Sequence, residues 1–152
     1  MPIQIHKDRV PHDTRPDAGC AIRRRMLQIG DITLSSRLIV GTGKYPDFAT
    51  MKACHEASET GLVTLALRRV DLGAAQDGNI LEWIDRTKIH LLPNTAGCYT
   101  AEDAVATARI ARELLGTSLL KLEVIGCPRT LFPDAEGTLE ACLLYTSPSP
   151  RD

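Results

Sequence analysis

From Met26 onward, short apolar runs alternate with stretches whose apolar residues recur at every third or fourth position, the spacing of one helix face. The segment Leu27 to Leu34 is broken at Gly30-Asp31 and predicts a small β-hairpin. Leu38-Ile39-Val40, closed by Gly41, predicts a first buried strand. A helix is predicted over Asp47 to Ser58, with Asp47 as its N-cap and Phe48, Met51 and Cys54 along one face. A second strand is predicted from Leu62 to Leu67. It is followed by a loop rich in Gly and Asp, a short helix at Ile80 to Ile84, and a third strand at Ile89 to Leu92 stopped by Pro93. The next helix carries the fullest set of signals: Thr100 at the cap, Asp103 three residues on, Val105, Ala108 and Ala111 in register, and Gly116 just past the end. A fourth strand is predicted at Leu119 to Ile125.

Strands separated by helical segments at this spacing predict β-α-β units and a parallel sheet. The expected fold class is α/β, with parallel β/α units forming the first half of a TIM-type (β/α)8 barrel. A complete barrel needs roughly 250 residues and this chain has 152, so the sheet is either open or part of something longer.

Both ends read differently from the middle. Residues 1–25 hold three prolines, six basic and three acidic residues and no apolar periodicity, and end in Arg23-Arg24-Arg25 before Met26. They are expected to be an extension without regular structure. Sequence upstream of a true start at Met26 is the favoured reading, ahead of a targeting or RNA-binding arm, because three acids dilute the basic charge. Residues 142–152, CLLYTSPSPRD, change composition abruptly, and no helical periodicity is read into them. They match the translation of a transposon-type sequencing adapter, so the native sequence is expected to stop near Ala141. The chain is thus divided into an extension at 1–25, a half-barrel at 26–141 and a non-native tail at 142–152.

Composition narrows the function classes. An apolar content of 43% supplies a core, and a net charge of -1 offers no single-sign field for nucleic acid or an anionic membrane. The apolar runs fall far short of the ~20 residues that span a bilayer, and no secretory signal is visible. A cytoplasmic protein is expected. The five cysteines, at positions 20, 54, 98, 127 and 142, form no C-x-x-C pair and have no histidine at metal-ligand spacing, so reduced thiols and no metal or cofactor are expected.

The candidate chemistry lies in Leu119 to Gly126. Lys121, Glu123 and Ile125 alternate with Leu120, Leu122 and Val124, so the two sets face opposite sides of a strand. With helices over the Leu/Leu/Val face, Lys121 and Glu123 would point into the barrel. A structural ion pair explains them as well as a reactive amine with an acid-base neighbour does. A desolvated lysine is a neutral nucleophile able to capture a carbonyl as an imine, and Glu123 could move protons at the adjacent carbons. Weaker candidates are Gly41-Thr42-Gly43-Lys44-Tyr45 as an anion loop, Arg68 and Arg69 as phosphate or subunit contacts, and Asn94-Thr95-Ala96-Gly97 at a strand end; turns and a solvated strand end are the bland readings. His6, His12, His55 and His90 form no constellation.

At these residues the chain resembles thiazole synthase of bacterial thiamine biosynthesis. The resemblance rests on SSRLIVGTGKY (Ser35 to Tyr45), VTLALRRV (Val63 to Val70), LLPNTAGCYTAEDA (Leu91 to Ala104) and KLEVIG (Lys121 to Gly126). It implies capture of 1-deoxy-D-xylulose 5-phosphate as an imine on Lys121, with Glu123 assisting proton transfer. Sulfur would come from the thiocarboxylate of a sulfur carrier protein, and condensation with dehydroglycine would close the ring. The family's phosphate-binding glycines lie in its second half, and a homo-oligomer is expected of the full-length form. A non-catalytic half-barrel, with Lys121 and Glu123 open to water, and another Schiff-base barrel enzyme such as an aldolase are the alternatives.

Overall fold

The computed structural model describes residues 26–70 and 78–147. The extension at 1–25, most of the Gly/Asp-rich loop and the last residues of the tail lie outside the described residues.

Leu27–Ile29 (β1) and Ile32–Leu34 (β2) form the predicted antiparallel hairpin, turning at Gly30, whose φ of 57° needs no accommodation of a side chain. Leu34 is buried and Gly61 packs against it, so the hairpin closes one end of the domain. Ile39–Gly41 (β3), Leu62–Ala66 (β4) and His90–Asn94 (β5) follow in a parallel sheet of order β3-β4-β5, with Val40 opposite Val63 and Val63 opposite Leu91. Mixed α/β architecture with a parallel sheet is therefore observed.

Phe48–Ala57 (α1) begins where the capping signal placed it, Asp47 accepting from the Thr50 N–H at 2.6 Å. Met51, Val63, Leu65, Ile80, Ile84, Ile89, Leu91 and Leu115 form the main core beneath α1 and the 3-10 turn Ile80–Trp83. Ala101–Leu115 (α2) starts at Thr100, which accepts from the Asp103 N–H at 3.1 Å, and ends at Gly116 in the left-handed conformation, φ 63°. Its alanines let it approach a second core of Cys98, Ala101, Ala104, Val105, Val124 and Ala141. Ala135–Thr146 (α3), capped by Asp134, packs on α2.

Four expectations need correction. The first strand is not buried: Leu38 and Ile39 are 49% and 41% exposed because β3 is an edge strand with one neighbour. Pro93 does not stop the third strand. In a parallel ladder a residue's N and O face the same neighbour, and the Pro93 carbonyl accepts from the Lys121 N–H at 2.8 Å, so its missing N–H takes no bond from β4. The fourth strand is reduced to isolated bridges, Asn94 with Lys121 in parallel and Ile125 with Pro133 in antiparallel sense. The cause is Thr95, whose hydroxyl donates to the Glu123 carbonyl at 2.7 Å and accepts from the Glu123 N–H at 2.8 Å, standing where a strand backbone would pair. Finally, helix α3 runs on through Cys142 to Thr146, where the sequence shows no helical periodicity.

Candidate functional site

Parallel strands bring their C-terminal ends to one rim, and four segments meet there: the loop Thr42 to Tyr45 after β3, the 3-10 turn Leu67–Arg69 after β4, Thr95 to Cys98 after β5, and Lys121 to Ile125. Backbone bonds hold the fourth against the third. The Thr95 N–H donates to the Lys121 carbonyl at 3.4 Å and the Ile125 N–H to the Cys98 carbonyl at 2.9 Å. Asn94 closes an Asx turn by accepting from the Ala96 N–H at 3.2 Å.

Burial separates only the extremes of Leu119 to Ile125, Lys121 and Val124, the other five residues being half-buried. Val124 is fully buried and Leu122 packs with it against the alanine face of α2, whereas Lys121 is exposed and Glu123 half-buried. The two side chains stand two residues apart on one side, about 6.6 Å between Cα atoms for an extended segment. Among the described residues they form no ion pair; the ion pair there is Lys88 with Asp85, at 3.4 Å.

The weaker candidates also find places. Thr42 donates to the Thr64 carbonyl at 3.1 Å, tying the loop after β3 to β4. Buried His55 bonds through Nε2 to the Gly41 carbonyl at 3.2 Å, which requires the proton on Nε2 and leaves Nδ1 buried without a partner. Tyr45 meets the His55 ring edge-on at 6.0 Å. Arg68 and Arg69 are both exposed, as a solvated strand end predicts, and turn in opposite directions: the Arg69 guanidinium lies against Gly43 and that of Arg68 against Gly97. His90 is exposed and joins no cluster, and His6 and His12 lie outside the described residues. Cys127, just past the Lys121 segment, has its thiol pushed down by hydrogen bonding from the Thr130 side chain, then from the Thr130 and Arg129 backbones. Spacing alone did not single it out, because the Thr130 contact depends on a local turn. No helix among the described residues is long and apolar enough to cross a membrane.

Comparisons with known proteins identify the family. The family described as thiazole biosynthesis protein ThiG matches residues 28–147. A thiazole synthase of Myxococcus xanthus (strain DK1622) is 49% identical over 140 residues, covering 86% of this chain and 54% of the relative. One of Solibacter usitatus (strain Ellin6076) is 55% identical over 115 residues, covering 76% of this chain and 44% of the relative. Among solved structures, the crystal structure of the Amycolatopsis orientalis BexX/CysO complex aligns with a TM-score of 0.60 and 25% identity, covering 76% of this chain and 47% of the matched chain. The chain thus spans about half the length of the curated relatives it matches. A family match over most of the chain, on a parallel α/β scaffold whose strand ends gather the four segments named above, shows that this chain belongs to the thiazole biosynthesis protein ThiG family.

Proposed function

We propose that this chain is the N-terminal half of a thiazole synthase barrel, carrying the imine-forming lysine of the complete enzyme. The observation that supports the reading is the parallel pairing of Lys121 with Asn94, which sets Lys121 and Glu123 at the C-terminal rim, the face on which barrel enzymes build their sites. The substrate is 1-deoxy-D-xylulose 5-phosphate. The unprotonated ε-amine of Lys121 adds to the ketone carbon, and loss of one water leaves the imine. The imine acidifies the neighbouring C–H, and Glu123 takes that proton and returns it as the double bond moves along the sugar. The thiocarboxylate sulfur of a sulfur carrier protein adds to the carbonyl so exposed, the carrier's acyl group passes from sulfur to the resulting alkoxide, and the carrier leaves as its carboxylate, taking the oxygen and leaving the sulfur on the sugar carbon; dehydroglycine supplies the remaining ring carbon and nitrogen. In this proposal the protein is cytoplasmic, and the complete form is a homo-oligomer.

Enclosure is what makes the lysine reactive. An ammonium in water stays protonated at neutral pH and is a poor nucleophile. Lys121 is exposed here, so the 152-residue chain on its own is read as catalytically silent. The test is borohydride trapping with the ketose phosphate. In a protein of the relatives' length carrying this segment, the label should map to Lys121 and disappear in Lys121→Ala. Labelling that persists in Lys121→Ala refutes the assignment. Product analysis with the carrier present separates thiazole formation from an aldolase-type cleavage of the same imine.

A further inference from the structure

At the end of the sheet away from the rim, where the chain enters its parallel strands, lies a cavity of about 450 Å³ that the imine chemistry does not use. Ser35, Thr60 and Ile89, which precede β3, β4 and β5, line it on the sheet side, and the last turn of α1 brings His55 and Glu56 to its wall. His55 is 2% exposed and carries a bare acceptor. With Nε2 donating to the Gly41 carbonyl at 3.2 Å, Nδ1 keeps its lone pair, and it is buried without a hydrogen-bond partner. A buried acceptor in that state is destabilising until a donor reaches it. The Tyr45 ring packs edge-on at 6.0 Å, so the imidazole is fixed from two sides and the cavity that it lines is where such a donor can enter. The rest of the wall is acidic: Glu56, Glu59 and Asp85 stand against Lys88. Asp85 is already engaged, accepting from the Thr87 N–H at 3.1 Å and paired with Lys88 at 3.4 Å. Glu56 and Glu59 have no ion-pair partner among the described residues. Glu59 takes a φ of 48° just past the helix, a left-handed position where glycine or asparagine is usual. The C-terminal end of α1 adds the negative end of its dipole.

We propose that this cavity binds an aliphatic diamine in its diammonium form, one ammonium donating to His55 Nδ1 and the other held by Glu56 and Glu59. The groups left free are acceptors, so the ligand must bring both donors and positive charge. Among the described residues no three carboxylate, imidazole or thiol groups are gathered closely enough to hold a metal ion, which leaves an organic cation. An ammonium suits because its three donors rotate to meet partners in different directions, whereas the flat fork of a guanidinium is matched to a single carboxylate. Charge sets the number. Three carboxylates against one lysine leave two negative charges for two ammonium groups to balance. Size agrees, because the volume is that of roughly 15 waters at about 30 Å³ each, room for a short alkyl chain together with several waters. Lys121 lies at the other end of the sheet, so the site does not depend on the function proposed above.

The experiment uses the 152-residue chain, with putrescine as the probe and calorimetry as the readout. Putrescine should bind at least about tenfold more tightly than tetramethylammonium, which has the charge without an N–H donor, and than butanediol, which has donors without the charge. Glu56→Gln and Glu59→Asn should each weaken it about threefold, the scale of one solvent-facing charge pair, and together about tenfold. Asparagine is chosen at 59 because it tolerates the left-handed backbone. Glu140→Gln, on α3, should bind as the parent does. The readout particular to His55 needs no variant: in the nitrogen NMR spectrum its Nδ1 resonance should move on saturation with putrescine and stay in place with tetramethylammonium. Tetramethylammonium binding as tightly as putrescine overturns the proposal and leaves only an acidic surface. A Nδ1 resonance that does not move at saturating putrescine overturns it too, whatever the variants do. So does unaltered binding by the variant carrying both Glu56→Gln and Glu59→Asn.

Discussion

At the scale of single residues, Thr95 has the largest structural consequence. Its hydroxyl is fully buried and satisfies both backbone groups of Glu123. Thr95→Val keeps the shape and orphans the two groups, and at about 1–3 kcal/mol for each unsatisfied partner the loss should be about 2–6 kcal/mol. Urea denaturation measures it, and a loss below about 0.5 kcal/mol would show that water replaces the hydroxyl. Asp47 makes a pH-dependent prediction. Hydrogen bonding from the Thr50 backbone, then its side chain, holds the carboxyl below the ordinary carboxylate range. A depressed folded-state value means that the contribution is present above the unfolded value and lost as pH falls through the folded one. The melting temperature of Asp47→Ala should therefore lie below the parent's at neutral pH, with the gap closing as pH drops below about 4. A gap that is constant from pH 7 to pH 3 would contradict this account. Lys121 and Glu123 stand out in the sequence because alternation is a local signal. Their surroundings were not, since exposure depends on what the rest of the barrel covers.

At the scale of elements, caps were read well and strand ends poorly. The limits of α2 follow from Thr100 and Gly116, each acting through bonds within four residues of itself. Gly116 sits at φ 63° with open space around it, so Gly116→Ala should cost about 1 kcal/mol from backbone strain alone; Gly116→Asn should recover most of it. Equal thermal stability of the alanine variant and the parent would mean that the helix end relaxes. By contrast, whether Pro93 ends a strand depends on which neighbour its nitrogen faces, and nothing within the strand encodes that. Helix α3 is hidden in the sequence for a related reason. Its large apolar residues Leu139, Leu143 and Leu144 are exposed, and the residue that it buries completely is Ala141, so no apolar stripe marks it.

At the scale of the whole molecule, the parallel sheet ends at β3 on one side and at the Lys121 bridge on the other, and apolar surface stands open nearby. Ile39, Leu131, Phe132, Leu139 and Leu143 are all exposed. An unpaired edge beside such surface promotes association. The 152-residue chain should show a mass that rises with concentration in sedimentation, and Phe132→Asp should lower it; a fixed monomer mass across the range would go against this prediction. Periodicity made the β/α class legible, whereas these surfaces depend on partners that no local pattern names. The turn after β4 has one more consequence. Because adjacent arginines lie over Gly43 and Gly97, that turn touches the loop on either side of it. A side chain at position 97 would meet the Arg68 guanidinium and also have to adopt a φ of 94°, whereas one at 43 asks the flexible end of Arg69 to give by only a few tenths of an ångström. Across descendants of this sequence, position 97 should therefore stay glycine more strictly than position 43.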